Sequence, residues 1–269
     1  MRLNLRIAAA VLGVPALASA ARLSAPAARA FDSYVAEVEA RLARQHTRAD
    51  TYVAAPVREV ALAGGARVEA VNGGSWQVNG GLMHHWRAAA LVPGAKAKDM
   101  LALLRDYDHL ARYYAPEVVS SRGLGGGEER ASLAMRFRKQ KVVTVVLDAE
   151  FEAQSGLAGP RRGYSLSRST HIWQVDQPGT ARERRRTEGD DDGYLWRLNS
   201  YWSFEERPEG LLIECEAISL TRDVPAGLGW LVMPIVESLP KASLEFTLTA
   251  TKNALAAGAE RSNHDDRAN

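Results

Sequence analysis

Between residues 118 and 222 the chain offers β-like runs one after another, separated only by short polar turns. The runs cover 118–122, 131–138, 142–152, 164–170, 171–176, 181–186, 194–205 and 211–222. Turn residues such as Gly159-Pro160, Pro178-Gly179 and 208–210 divide them, and connections this short bring consecutive strands together antiparallel. A sheet built this way must cover one face with another element. The cover comes last: 226–257 reads as a helix interrupted at Pro234 and Pro240, where proline should kink or split it. The polar tail, 258–269, is expected to be disordered.

Ahead of the strands, 98–114 carries Met100, Leu101, Leu103, Leu104, Tyr107, Leu110 and Tyr114 at helical spacing and stops before Pro116. Residues 82–92 read as a strand ended by Pro93-Gly94. The region 31–81 reads as an N-terminal helix over 31–46 followed by short β-like runs at 57–62, 67–71 and 75–78. Gly64-Gly65, Asn72-Gly73-Gly74 and Asn79-Gly80-Gly81 break those runs as turns. They do not have the strand-before, helix-after context of a phosphate-cradling loop.

The first twenty residues carry a different message. Arg2 and Arg6 precede an uncharged run, 7–18, that ends in Ala18-Ser19-Ala20. That is the layout of a signal peptide, with cleavage expected after Ala20 or, as second choice, after Ala30, and a periplasmic or secreted mature protein. The run is too short for a membrane span. Loss of Arg2 and Arg6 leaves 32 basic against 32 acidic residues, so the mature chain has no net charge to offer nucleic acid. Cys215, the only cysteine, allows no intrachain disulfide and reads as a buried strand residue.

Two stretches resemble a known superfamily. Leu103-Leu104-Arg105-Asp106-Tyr107-Asp108-His109-Leu110, followed by Tyr113-Tyr114-Ala115-Pro116-Glu117-Val118, is similar to the helix-to-strand passage of the START-like (SRPBCC) superfamily, which includes polyketide cyclase and dehydrase-type domains. Residues 81–86, 193–202 and 214–222 resemble exported bacterial members of it. The resemblance implies an α+β helix-grip fold over 82–257, a curved antiparallel β-sheet wrapped around a long C-terminal helix, with 31–81 as an added cap or edge. It implies an apolar cavity, no cofactor, and a hydrophobic small molecule or lipid as partner, with transient membrane contact. In some branches that cavity performs cyclisation or dehydration, and the fold alone does not choose between these uses.

Strand parity suggests the lining. Leu133, Met135 and Phe137 should face inward, as should Val143, Val145, Leu147, Ala149 and Phe151. Trp196, Leu198, Ser200, Trp202 and Phe204 share a third face. The expected ligand-binding residues are Met135, Phe137, Leu147, Trp173, Trp196, Trp202, Trp230 and Met233. His171 and an inward Glu216 are the acid–base candidates of the enzyme alternative. Glu214 and Glu216 share a face, where Arg136, Arg138 and Arg222 are available to form a salt-bridge array. His84 and His85 should point to opposite faces and cannot easily share a metal. Asp190 to Asp192 lack calcium-loop spacing and read as a solvated hairpin tip. A third use of the chain would make the 31–81 extension an interaction surface.

Overall fold

A computed structural model describes residues 21–48, 52–64, 66–140, 144–223 and 229–268; side chains at 55–57, 229–237 and 261–268 lie outside the description. The signal-peptide reading of 1–20, the parity of Val143 and the side chains of Trp230 and Met233 therefore fall outside the described residues.

In chain order the elements are β1 (Ala21–Arg22), α1 (Ala25–His46), α2 (Ala55–Leu62), β2 (Ala66–Val78), β3 (Gly81–Val92), α3 (Ala97–Arg105), α4 (Leu110–Tyr114) and β4 (Val118–Gly126). There follow β5 (Arg130–Gln140), β6 (Thr144–Leu157), β7 (Arg162–Asp176), β8 (Arg184–Arg185), β9 (Asp190–Asp191), β10 (Arg197–Arg207), β11 (Gly210–Thr221) and α5 (Gly229–Ala268). One nine-stranded sheet runs β2-β3-β11-β10-β7-β6-β5-β4, with β8 beside β7. Its pairs are antiparallel. Helix α5 packs against β3, with further contacts on β2, β11, α3 and α4. This is the α+β helix-grip, START-like arrangement.

Both faces of β3 and β11 are covered, which explains why neither strand alternates cleanly in sequence. On the concave side Ala88, Ala90, Val92, Leu211 and Ile213 join Leu244, Leu248 and Leu255 of α5 in one core. On the convex side the stripe Phe31, Val35, Val38 and Leu42 of α1 packs on Met83, Ile218 and Leu220. Helix α2 covers Ala89 and Leu212 nearby. Among the described residues no helix is long and apolar enough to cross a membrane.

Several sequence readings change. The 57–62 run is helical, because Pro56 sits in the first turn of α2 and an apolar run this short carries no decisive period. Asn72-Gly73-Gly74 is a bulge inside β2 and not a hairpin turn. Its three residues take positive φ in succession, and a Cβ at Gly74 would stand 2.5 Å from the Trp86 ring. The runs at 164–170 and 171–176 form the single strand β7, with a register shift opposite Glu150 and Phe151. The helix at 98–114 divides into α3 and α4, and Asp106 at the break takes the His109 ring at 2.6 Å and the Tyr113 hydroxyl at 2.7 Å. Pro234 and Pro240 do not split α5, which continues to Ala268 across the expected tail. Each proline removes one backbone donor, and the remaining ladder carries the helix past it.

Candidate functional site

A packed core leaves no inward side chain open to solvent. The concave face meets that standard on the β3 and β11 side and departs from it elsewhere. Phe151, Ala149 and Leu133 are buried, yet Met135 and Phe137 of β5, Leu198 of β10, and Leu101, Leu104, Tyr107 and Tyr113 of α3–α4 are only half-buried. Helix α5 sits over β2, β3 and β11, while α3 and α4 approach the sheet at β4, β6 and β7. The inward faces of β5, β7 and the first half of β10 are therefore incompletely covered, a hollow in the concave face that is open to solvent in part. Tyr114 fastens its roof: the phenol donates to Thr251 Oγ1 at 2.9 Å, while that threonine hydroxyl donates onward to the Thr247 carbonyl at 2.8 Å.

The floor is less apolar than parity on β5 and β6 suggests. Ser165, Ser167 and Ser169 stand opposite Ser155, Ala153 and Phe151, so β7 presents a hydroxyl at every second position of the concave face. Ser167 Oγ lies 2.9 Å from Ser200 Oγ, and Ser169 Oγ accepts the Leu198 N–H at 2.9 Å. The resulting surface has aliphatic and aromatic walls with a line of hydroxyls along its middle. It suits a hydrophobic molecule that carries a few oxygen atoms. The period-two serines were readable in the sequence, and parity reasoning passed over them.

Met135, Phe137, Leu147 and Trp202 stand on the concave face. Two expected lining residues do not. Trp173 lies on the outer face, stacked on His171 at 5.1 Å and under the Arg185 guanidinium at 4.3 Å. The extra residue in β7 near Thr170 exchanges the faces of everything after it, so Ile172 turns inward and Trp173 outward. Trp196 precedes β10 and packs beneath α1, its indole N–H donating to Asp191 Oδ1 at 3.2 Å. Asp191 is itself buried and pairs with Ala21 across β1 and β9, which corrects the reading of 190–192 as a solvated tip.

The acid–base candidates also lie outside the hollow. His171 is exposed and bonds Glu188 at 2.9 Å. Glu216 faces the convex side beneath α1, fully buried, and its partners are Arg41 at 2.5 Å, His85 Nε2 at 2.9 Å and Arg87 at 3.1 Å, not the arginines expected from sequence. These charges hold its carboxyl well below the usual range despite burial. His85 is neutral, since burial lowers its pKa; Nε2–H donates to Glu216 and Nδ1 accepts from the Tyr34 hydroxyl at 2.8 Å. His84 points to the other face, between Ser75 and Thr221 at 2.8 and 3.1 Å.

Two positions along, Glu214 is equally buried, but among the described residues it has no cation at ion-pair distance. It accepts the Ala54 N–H at 2.6 Å, and its second oxygen has no partner. Burial and the Glu216 charge push its carboxyl upward, so it keeps its proton when an unfolded glutamate would lose it near pH 4.5. Between the unfolded and the raised native titration of Glu214 the native state holds more protons than the unfolded state, and stability falls as pH rises. Buried His46, His84 and His85, all lowered, act in the opposite sense but only below about pH 6.5. Glu216 contributes fully above the ordinary carboxylate range and loses its effect only on acidification. Urea midpoints measured upward from pH 7 are therefore expected to decline, and Glu214→Gln to flatten the decline. An unchanged slope in that variant would place the proton elsewhere.

No protein-family model and no curated protein matches the chain. Solved structures do. The Zhui aromatase/cyclase from Streptomyces sp. R1128 aligns at 14% identity over 66% of this chain and 94% of its own, with a TM-score of 0.42. Fragment 25–204 of a STAR-related lipid transfer protein from Xanthomonas axonopodis aligns at 16% identity over 73% of this chain and 99% of its own, TM-score 0.41. Human STARD10 aligns at 11% identity over 67% of this chain and 74% of its own, TM-score 0.41. The fold assignment itself rests on the strand order and the seat of α5 given above.

Proposed function

We propose that the chain is an exported START-like protein that holds a hydrophobic small molecule or lipid in the hollow between its sheet and α5. The half-buried state of Met135, Phe137, Leu198 and Tyr113 carries this reading, because inward apolar side chains retain solvent access only where space lies over them. Ser165, Ser167 and Ser200 add hydroxyls to meet the polar end or edge of such a ligand. A cyclase or dehydratase would need an acid–base group in the same space, and both candidates named from sequence stand on other surfaces. Export is supported by the layout of residues 1–20. Cleavage after Ala20 keeps β1 and the Ser24 cap of α1, whereas cleavage after Ala30 would remove both, together with buried Ala27.

Native mass spectrometry of the protein purified from its own envelope or culture fluid tests both parts. The expected mature mass begins at Ala21, and the native ion is expected to carry an apolar adduct that denaturing extraction releases. Met135→Trp places a larger ring over the floor and should lower occupancy by roughly tenfold or more, equivalent to ~1.4 kcal/mol of binding. Full occupancy in that variant, or a ligand-free protein from its own source, argues against the hollow as the binding site.

A further inference from the structure

A second recess lies outside the hollow, at the end of the sheet where β6 turns into β7 and β10 turns into β11. This cleft of about 400 Å³ is walled by Pro160 and Pro208 and lined by Arg161, Arg162, Arg207, Glu205 and Glu206. Its charges do not cancel. Buried Glu205 is shared by two arginines, accepting from Arg207 Nη2 at 2.5 Å with Arg162 Nε at 3.6 Å. Glu206 is engaged at the start of α3, where Oε1 accepts the Ala97 N–H at 2.9 Å and Oε2 lies 3.9 Å from Lys96 Nζ. Arg161 meets no carboxylate among the described residues; its Nη2 donates to the Glu206 carbonyl at 3.2 Å. Arg207 Nε is buried with no hydrogen-bond partner. Three arginines thus line the cleft against two carboxylates, leaving one positive charge in excess.

The turn that carries the arginines is held in place. The Ala158 N–H donates to the Arg162 carbonyl at 2.9 Å, and the Glu206 N–H donates to the Arg161 carbonyl at 2.7 Å. The planar fork of a guanidinium projecting from such a turn matches two oxygens of a phosphate or carboxylate.

We propose that this cleft binds an oxyanion, the phosphate or carboxylate group of a small molecule or of a lipid headgroup. Arg161 is its donor, and Arg162 and Arg207 are the flanking charges. The volume falls in the lower part of the range for small-molecule sites, about 300–1,000 Å³. The cleft shares no residue with the hollow, so the proposal stands apart from the carrier reading.

Calorimetric titration of the whole protein with inorganic phosphate at low ionic strength tests it, together with flotation on phosphatidylcholine vesicles with and without phosphatidylglycerol. Saturable phosphate binding is expected, weakened by roughly tenfold in Arg161→Gln through loss of a charge-assisted bond and further in Arg161→Gln/Arg207→Gln. Arg161→Gln should melt like wild type, since a surface carbonyl is the side chain's partner. Phosphatidylglycerol-dependent flotation that disappears in the same variants assigns the anion to a headgroup. Phosphate binding without flotation assigns it to a soluble ligand. A wild type with neither response, or variants that respond as wild type does, overturns the site. The adduct released from the hollow should be the same in every variant, which separates failure here from failure of the carrier reading.

Discussion

Replacing Glu216 with alanine is expected to destabilise the protein by about 3–5 kcal/mol, while Glu214→Gln, two residues away on the same face of β11, costs under about 1 kcal/mol. Burial does not separate the two, because both side chains are withdrawn from water. Their partners do. Glu216 compensates Arg41 and Arg87 and accepts the Nε2–H of neutral His85. Of these, Arg87 keeps the Glu69 pair, at 3.1 Å, once the carboxylate is gone, and His85 loses the acceptor that orients its ring. Stranding the buried Arg87 costs far more than the intact pair returns. Glu214, by contrast, already holds its proton, so the neutral amide of glutamine keeps the acceptor for the Ala54 N–H without moving a charge. Urea unfolding at pH 7 distinguishes the two variants directly. Equal losses would mean that the charge is shared between the carboxylates and not localised on Glu216.

The same pair shows how far the sequence could be read. That Glu214 and Glu216 share a face follows from strand period alone; that α1 seals them from water depends on where a helix docks, which no local pattern states. A signal was present, however. Arg41 lies three residues after Val38 and one before Leu42, at the margin of the stripe that α1 buries, and a cation so close to an apolar stripe calls for an anion beneath it. The faces of β5 and β6 followed from alternation because those strands run without interruption over the relevant residues. Trp173 was misplaced because a single extra residue near Thr170 in β7 reverses the side chains beyond it, and Trp196 because it stands before the first residue of β10, where strand alternation does not apply. The helix grip was legible from the order of elements. The hollow was not, since lining and filled core share one composition.

Gly163 and Phe204 give the largest effects expected on the concave side. They are register partners on β7 and β10, and a Cβ at Gly163 would stand 2.3 Å from the fully buried Phe204 ring and 2.9 Å from the Gly156 carbonyl. The glycine is needed here for space, not for backbone freedom. Phe204→Ala should cost about 3–5 kcal/mol through lost transfer energy and the cavity left behind. Gly163→Ala should cost about 1–3 kcal/mol through overpacking, because a ring enclosed in the core has little room to withdraw. If both losses arise from the same contact, they cannot add. Once Phe204 is alanine, the methyl at position 163 enters vacated space and restores part of the packing, so the double variant should be more stable than the sum of the single losses by upwards of ~1 kcal/mol. Denaturant unfolding of the four proteins measures that coupling. Additive losses would show that the strand backbones part to admit the methyl and that the close approach of ring to glycine does not set the spacing of β7 and β10.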